Sequence, residues 1–158
     1  RIKYLMCSAF VGYISALTHQ IRPMTSCTVD PLRILIVDDN AIVRAGLRAL
    51  IDGKADMTVV GEAADGAEAI AQARILKPDI ILMDLLMPKM DGISATANIC
   101  RQNPAARILM LSQLAEEERI FAARQAGALG YLVKGMPPER VVADIRSAAR
   151  SKKTRQRA

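Results

Sequence analysis

Short apolar runs alternating with segments of helical periodicity limit what this chain can fold into more than any other feature of its sequence. The runs are Leu32–Val37, Thr58–Val60, Ile80–Met83, Arg107–Leu111 and Leu129–Val133. They lack the polar alternation of a strand with one wet face. Strands of that kind are buried on both sides, which requires a parallel sheet covered by helices on each face. Helices are predicted over 41–51, 67–76, 93–101, 115–126 and 137–150. In the first, Ile42, Val43, Leu47, Leu50 and Ile51 recur at helical spacing. Lys77-Pro78-Asp79 breaks the second, and Pro137 and Pro138 suit the start of the last, where a missing N–H costs nothing. The expectation is an α/β fold, with the strand–helix unit repeated five times over about 120 residues.

The two ends of the chain stand apart from this repeat. Residues 1–30 contain an apolar run, Tyr4 to Leu17, with Arg1 and Lys3 ahead of it. The run falls short of the roughly 20 residues that span a bilayer, so no membrane partner is expected. It has the charged start and short apolar stretch of a secretory signal, with Ala9 and Ala16 as small-residue cues. The chain starts at Arg1, and Met24 stands just ahead of the organised region, which favours a leader or a non-native upstream segment. The expected division is therefore an N-terminal extension over 1–30, a domain over 31–150, and a basic tail or linker stub over 151–158.

Composition narrows the classes. At 51% apolar and 24% charged, the 158 residues are those of a globular protein rather than a disordered one. The net charge of +6 belongs to the ends, since residues 31–149 hold 14 basic and 15 acidic side chains. Arg150, Lys152, Lys153, Arg155 and Arg157 crowd the C-terminal end. Such a run can touch nucleic acid or a membrane electrostatically, but a solvated terminus or linker is the favoured reading. Cys7, Cys27 and Cys100 have no metal-like spacing and cannot close a disulfide framework, which points to a reducing, cytoplasmic setting. His19 is the single histidine and lies in the extension, which argues against zinc and catalytic-triad chemistry.

In an open parallel sheet, ligands bind at the carboxyl ends of the strands, near the switch in strand order. Asp38 and Asp39 follow the first strand, Asp84 the third, Ser112 ends the fourth, and Lys134 follows the fifth. Carboxylates brought together repel: two unit charges 4 Å apart cost about 4 kcal/mol at an effective dielectric of 20. A divalent hard cation offsets that, and Mg²⁺ favours one or two carboxylates with waters and a phosphate oxygen. Lys134 adds a mobile cation for a phosphoryl oxygen, and Ser112 a hydroxyl donor. Each residue also has a plainer use. Asp38, Asp39 and Asn40 can cap the first helix, Asp84 can begin a turn, Ser112 can cap the fourth helix, and Lys134 can sit solvated in a loop. Five such residues at one sheet edge favour the functional reading.

Four blocks carry a resemblance. Ile34-Leu-Ile-Val-Asp-Asp-Asn40, Ile81-Leu-Met-Asp-Leu-Leu-Met-Pro-Lys-Met-Asp-Gly92, Ile108-Leu-Met-Leu-Ser112 and Gly127-Ala-Leu-Gly-Tyr-Leu-Val-Lys134 occur in order and spacing. The chain resembles, over roughly 32–150, the receiver domain of bacterial two-component response regulators. Its character is closest to the NarL/FixJ subfamily, whose receivers precede a LuxR-type helix-turn-helix. The resemblance implies a flavodoxin-like, doubly wound (βα)5 fold with strand order 2-1-3-4-5. It implies that Asp84 is the phosphoacceptor, taking a phosphoryl group from a sensor histidine kinase. Asp39, Asp84 and the main-chain carbonyl of Leu86 would ligate Mg²⁺, with Asp38 acting through water. Lys134 and Ser112 would bind the phosphoryl oxygens, and Tyr131, otherwise a half-buried strand aromatic, would be a rotating switch. The output would be a population shift at the surface of the fourth helix, fifth strand and fifth helix, read by a partner or in a phosphorylation-dependent homodimer.

So read, the chain is a switch that promotes only its own phosphorylation and slow dephosphorylation, not an enzyme. DNA binding would need a further, C-terminal domain, since nothing in these residues supplies a recognition helix. A stand-alone receiver that docks to a protein is the alternative. A hydrolase of the haloacid dehalogenase kind carries Asp-x-Asp, whereas the aspartates here are adjacent and followed by Asn40. Two departures from the receiver pattern stand out. Gly135 follows Lys134 where many receivers have a proline, so a more mobile loop is expected. Leu86 has no polar group to orient a hydrolytic water, so a long-lived phosphoryl-aspartate is expected. Glu116-Glu117-Glu118 complements a helix dipole, Met83, Met87, Met90 and Met110 read as packing, and Cys100 as a small hydrophobe.

Overall fold

The computed structural model describes residues 30–113 and 116–151. The expected extension, but for Asp30, lies outside the described residues, as do the basic tail beyond Ser151 and the expected start of the fourth helix at Ala115. The chain runs β1 (Leu32–Val37), α1 (Ala41–Asp52), β2 (Met57–Ala63), α2 (Gly66–Leu76), β3 (Ile80–Asp84), α3 (Gly92–Gln102), β4 (Ile108–Ser112), α4 (Glu117–Gln125), β5 (Gly130–Val133) and α5 (Pro138–Arg150). The five strands form one parallel sheet in the order β2-β1-β3-β4-β5. Among the described residues no helix is long and apolar enough to cross a membrane.

Because side chains alternate across a strand, each continuous apolar run feeds two cores. Ile34, Ile36, Ile80, Leu82, Leu109 and Leu111 join Ile51 of α1 and Val141, Val142 and Ile145 of α5 on one face. Leu35, Val37, Ile81, Met83, Ile108 and Met110 meet Ala69 of α2, Ala95 and Ile99 of α3 and Ala123 of α4 on the other. Most of these strand residues are wholly buried, and each such Leu or Ile stabilises the fold by about 1.5–3 kcal/mol. The expected double burial holds for β1, β3 and β4, whereas the edge strands β2 and β5 are only partly buried, because each has a sheet neighbour on one side alone.

Helix starts follow the acidic and amide residues after the strands. Asn40 caps α1 and accepts a hydrogen bond from the Ile42 amide, Asp65 caps α2 at Glu68, and Asp91 caps α3 at Ser94. Asn40 thus takes the capping role, leaving Asp38 and Asp39 to the sheet edge. Ser112 does not cap α4, which begins after Glu116 without a side-chain cap. β2 is longer than Thr58–Val60, because Gly61 and Glu62 continue the ladder to β1 across a register shift between Ile34 and Leu35.

Candidate functional site

The centre of the sheet's carboxyl edge is built around a lysine between two buried carboxylates. Lys134 follows β5 and is steered by Gly135, whose φ of 89° lies in the left-handed region that glycine tolerates. Its main-chain N–H donates to the Ser112 carbonyl at 2.6 Å, tying the end of β5 to the end of β4. The Lys134 Nζ lies 2.6 Å from Asp38 Oδ2 and 2.9 Å from Asp84 Oδ1. Asp38 is completely buried and Asp84 nearly so. Asp38 Oδ1 accepts the Asn40 amide at 2.9 Å, and Asp84 Oδ1 accepts the Leu85 amide at 2.9 Å. Asp38 Oδ2 has charge contact with Lys134 but no aligned hydrogen bond.

Asp39 is exposed at the rim, and one carboxylate oxygen from each of Asp38, Asp39 and Asp84 lies within 4.8 Å of the others. Three hard oxygen donors this close, with one lysine shared between two of them, suit a small divalent cation better than they suit one another. Burial pushes the Asp84 carboxyl above its ordinary pKa; Lys134 opposes this, and the nearby Asp38 adds to it. Burial works against the Lys134 ammonium, but the carboxylates of Asp38 and Asp84 outweigh it and hold its pKa above the ordinary value. The arrangement is short of positive charge for its carboxylates.

An open cleft of about 260 Å³ gives access to this group, with Asp39, Asp84, Leu86, Ser112 and Lys134 among its walls. Asp38 lies beneath, reaching the same lysine. Leu86 stands exposed at the rim. Tyr131 is not among the residues lining that cleft. It is half-buried on β5 opposite Met110 and lines a separate surface groove with Arg140 and Asp144 of α5. Gln113, Glu116 and Arg119 also line the cleft, and Arg119 pairs with Glu116. Sequence reasoning passed over Gln113 and Arg119. For Gln113 its place directly after β4 was the available signal, since residues just past a strand's carboxyl end face this edge; Arg119, in the first turn of α4, gave none. Arg44 was missed as well: it sits on the helical face of α1 yet donates to the Asp38 carbonyl at 2.8 Å.

Comparison with known proteins places this geometry. The profile of the response regulator receiver domain matches residues 34–146. YxjL of Bacillus subtilis, an uncharacterised transcriptional regulatory protein, is 45% identical over 77% of this chain and 56% of its own length. The chain thus spans about half the length of the curated relatives it matches. Among solved structures, a LuxR-family two-component response regulator from Aurantimonas superposes with a TM-score of 0.74 at 39% identity, covering 78% of this chain and 88% of that one. CheY in the CheX-CheY-BeF3-Mg complex from Borrelia burgdorferi superposes with a TM-score of 0.70 at 31% identity, covering 74% and 88%. With the strand order, the acidic edge and these matches together, the chain belongs to the response regulator receiver domain family.

Proposed function

We propose that this domain is the phosphorylation-operated switch of a transcriptional regulator in a cytoplasmic two-component system, with Asp84 as the phosphoacceptor. The observation that carries the reading is Lys134 Nζ held between Asp38 and Asp84 at the floor of an open cleft. In the transfer, an Asp84 carboxylate oxygen forms a bond to phosphorus as the P–N bond of a kinase phosphohistidine breaks and the imidazole departs. Lys134 then exchanges one carboxylate for a phosphoryl oxygen, and the Ser112 hydroxyl donates to another. Asp39, Asp84 and the Leu86 carbonyl would hold Mg²⁺ directly, and Asp38 through water. Bound there, the ion neutralises charge on the phosphoryl oxygens. The Mg named with the Borrelia CheY complex supports that assignment.

Loss of Ser112 from its ion-free position gives Tyr131 a reason to move, since both lie at the β4–β5 ladder. The α4–β5–α5 surface would then repack and favour a homodimer. DNA binding belongs to a further domain, in keeping with the description of YxjL as a transcriptional regulatory protein of greater length. Leu86, apolar and exposed, leaves the phosphoryl group without a side chain that orients water, so the adduct persists well beyond seconds. Intact mass after incubation with Mg²⁺ and acetyl phosphate tests the reading. Wild type gains one phosphoryl mass and Asp84→Asn gains none; no gain in wild type, with acetyl phosphate and with a range of kinases, overturns it.

A further inference from the structure

We propose that Arg44 is a positioning residue that fastens the backbone between β1 and α1, so that Asp38 and Asp39 meet the cation in a fixed geometry. The inference rests on the reading of this edge as a Mg²⁺ site. Arg44 lies in the first turn of α1 with its side chain only 19% exposed. Its Nη1 donates to the main-chain carbonyl of Asp38 at 2.8 Å and reaches that of Asp39 at 3.4 Å. Its Nε donates to Glu62 Oε2 at 3.0 Å. Glu62, on β2, is gripped from its other oxygen by Arg48, one turn further along α1. The planar guanidinium is suited to this, because its donors point in fixed, divergent directions and need no acceptor in return.

The consequence is directional. A loop with two adjacent carboxylates and no cation between them tends to splay, because Asp39 is free to swing into water. Arg44 restrains the backbone that carries both side chains while leaving the two carboxylates unobstructed. It touches neither a carboxylate of the pair nor the cleft floor. Arg48 provides the natural control, since it grips the same Glu62 and makes no contact with the loop. If the network served only to join α1 to β2, the two arginines would be equivalent. Lysine at 44 cannot replace the fork, because a single ammonium on a flexible stem cannot hold Glu62 and two consecutive carbonyls in one plane.

The test uses the full chain, with two readouts: Mg²⁺ affinity by isothermal titration calorimetry, and exchange of the Asn40 amide in ion-free protein by NMR. Residues that orient metal ligands from behind typically cost tenfold or more when lost, so Arg44→Lys and Arg44→Met should each weaken Mg²⁺ binding about tenfold. The Asn40 amide, which donates to Asp38 Oδ1, should exchange about tenfold faster in both variants. Arg48→Ala should lower urea stability comparably and leave both readouts within about twofold of wild type. Glu62→Gln, which keeps an acceptor for Nε, should fall between, and serves if Arg44→Met does not fold. Wild-type affinity and Asn40 protection in the Arg44 variants would overturn the proposal, as would equal losses in Arg48→Ala. If wild type itself takes up no Mg²⁺, the metal reading fails, and Asn40 exchange still decides whether Arg44 holds the loop.

Discussion

The loop after β1 and the loop after β3 deliver carboxylates to the same cleft and are held in different ways. The first is short, Asp38 to Asn40, and is fastened from the side by Arg44. The second runs from Leu85 to Asp91 and is gripped by backbone at its two ends. The Leu85 N–H donates to the Leu111 carbonyl and the Gly92 N–H to the Leu85 carbonyl, each at 3.0 Å. Between those ends Leu86 faces solvent, and Lys89 adopts a φ of 67°, a left-handed conformation that costs a non-glycine residue about 1 kcal/mol. An ion pair from the exposed Lys89 to the half-buried Asp65, at 2.7 Å, and the Met90 N–H bond to the Pro88 carbonyl, at 2.8 Å, steady the middle. The contrast teaches that this edge has one stiff wall and one adjustable wall. The adjustable one adjoins the residue that changes charge on phosphorylation.

The strongest way to break the comparison is Gly92→Ala. A Cβ there would overlap the Asp84 carbonyl oxygen, and backbone cannot step aside as a side chain can. Urea unfolding should show a loss of about 3 kcal/mol or more, whereas Gly46→Ala on α1, where a methyl meets nothing, should gain about 0.5–1 kcal/mol. Next in size is Leu86→Asn, which places an amide at the rim where water can be oriented. The lifetime of the phosphorylated protein, followed by intact mass, should shorten about tenfold, or about 1.4 kcal/mol of barrier.

Asp84→Asn sharpens the contrast through pH. Because burial and Asp38 raise its pKa against the pull of Lys134, protonation of Asp84 is more favourable in the folded chain than in the unfolded one. The contribution of this group is therefore fully present below the unfolded pKa of about 3.9 and is lost as pH rises through the raised folded value. The neutral Asn variant should thus be more stable than wild type by about 1 kcal/mol at pH 7 in EDTA. That margin should vanish as the pH is lowered, as thermal unfolding across the range would show. The smallest effect belongs to Lys89→Ala, which should barely move the urea midpoint, because the Lys89 side chain stands in water. A loss as large as that of Gly92→Ala would erase the distinction between the gripped ends and the adjustable middle.

Features dictated by local pattern were legible in the sequence. Ile34–Val37, Ile80–Met83 and Ile108–Leu111 announce buried strands by themselves, and the polar residues just beyond them fall at the sheet edge by topology. The length of β2 was not legible, because Gly61 and Glu62 disfavour strands and are held there by β1. Nor was the Arg44–Glu62 contact. Two charged residues 18 positions apart look like ordinary solvent-facing residues until β2 is laid beside β1. The helix caps were half legible: aspartates and Asn40 signalled helix starts, but which of three adjacent residues capped α1 depended on Asp38 pointing inward. Long-range side-chain partners, unlike strand runs, leave no local trace.

The last helix carries a consequence for how the domain comes into being on the ribosome. Ile145 is wholly buried in one core with Ile80 and Leu82 of the central strand β3, and Arg146 reaches back to Asp56 across 90 residues with bonds of 2.7 and 2.8 Å. Synthesis at about 5–20 residues per second leaves the central strand waiting several seconds for that cover. Throughout that wait the part of the sheet face that α5 covers beside α1 lies bare, a surface for chaperones to shield and for neighbouring nascent chains to stick to. Codons that slow translation ahead of α5 would lengthen the exposure, and aggregation during synthesis should rise with that delay even though the finished protein is unchanged.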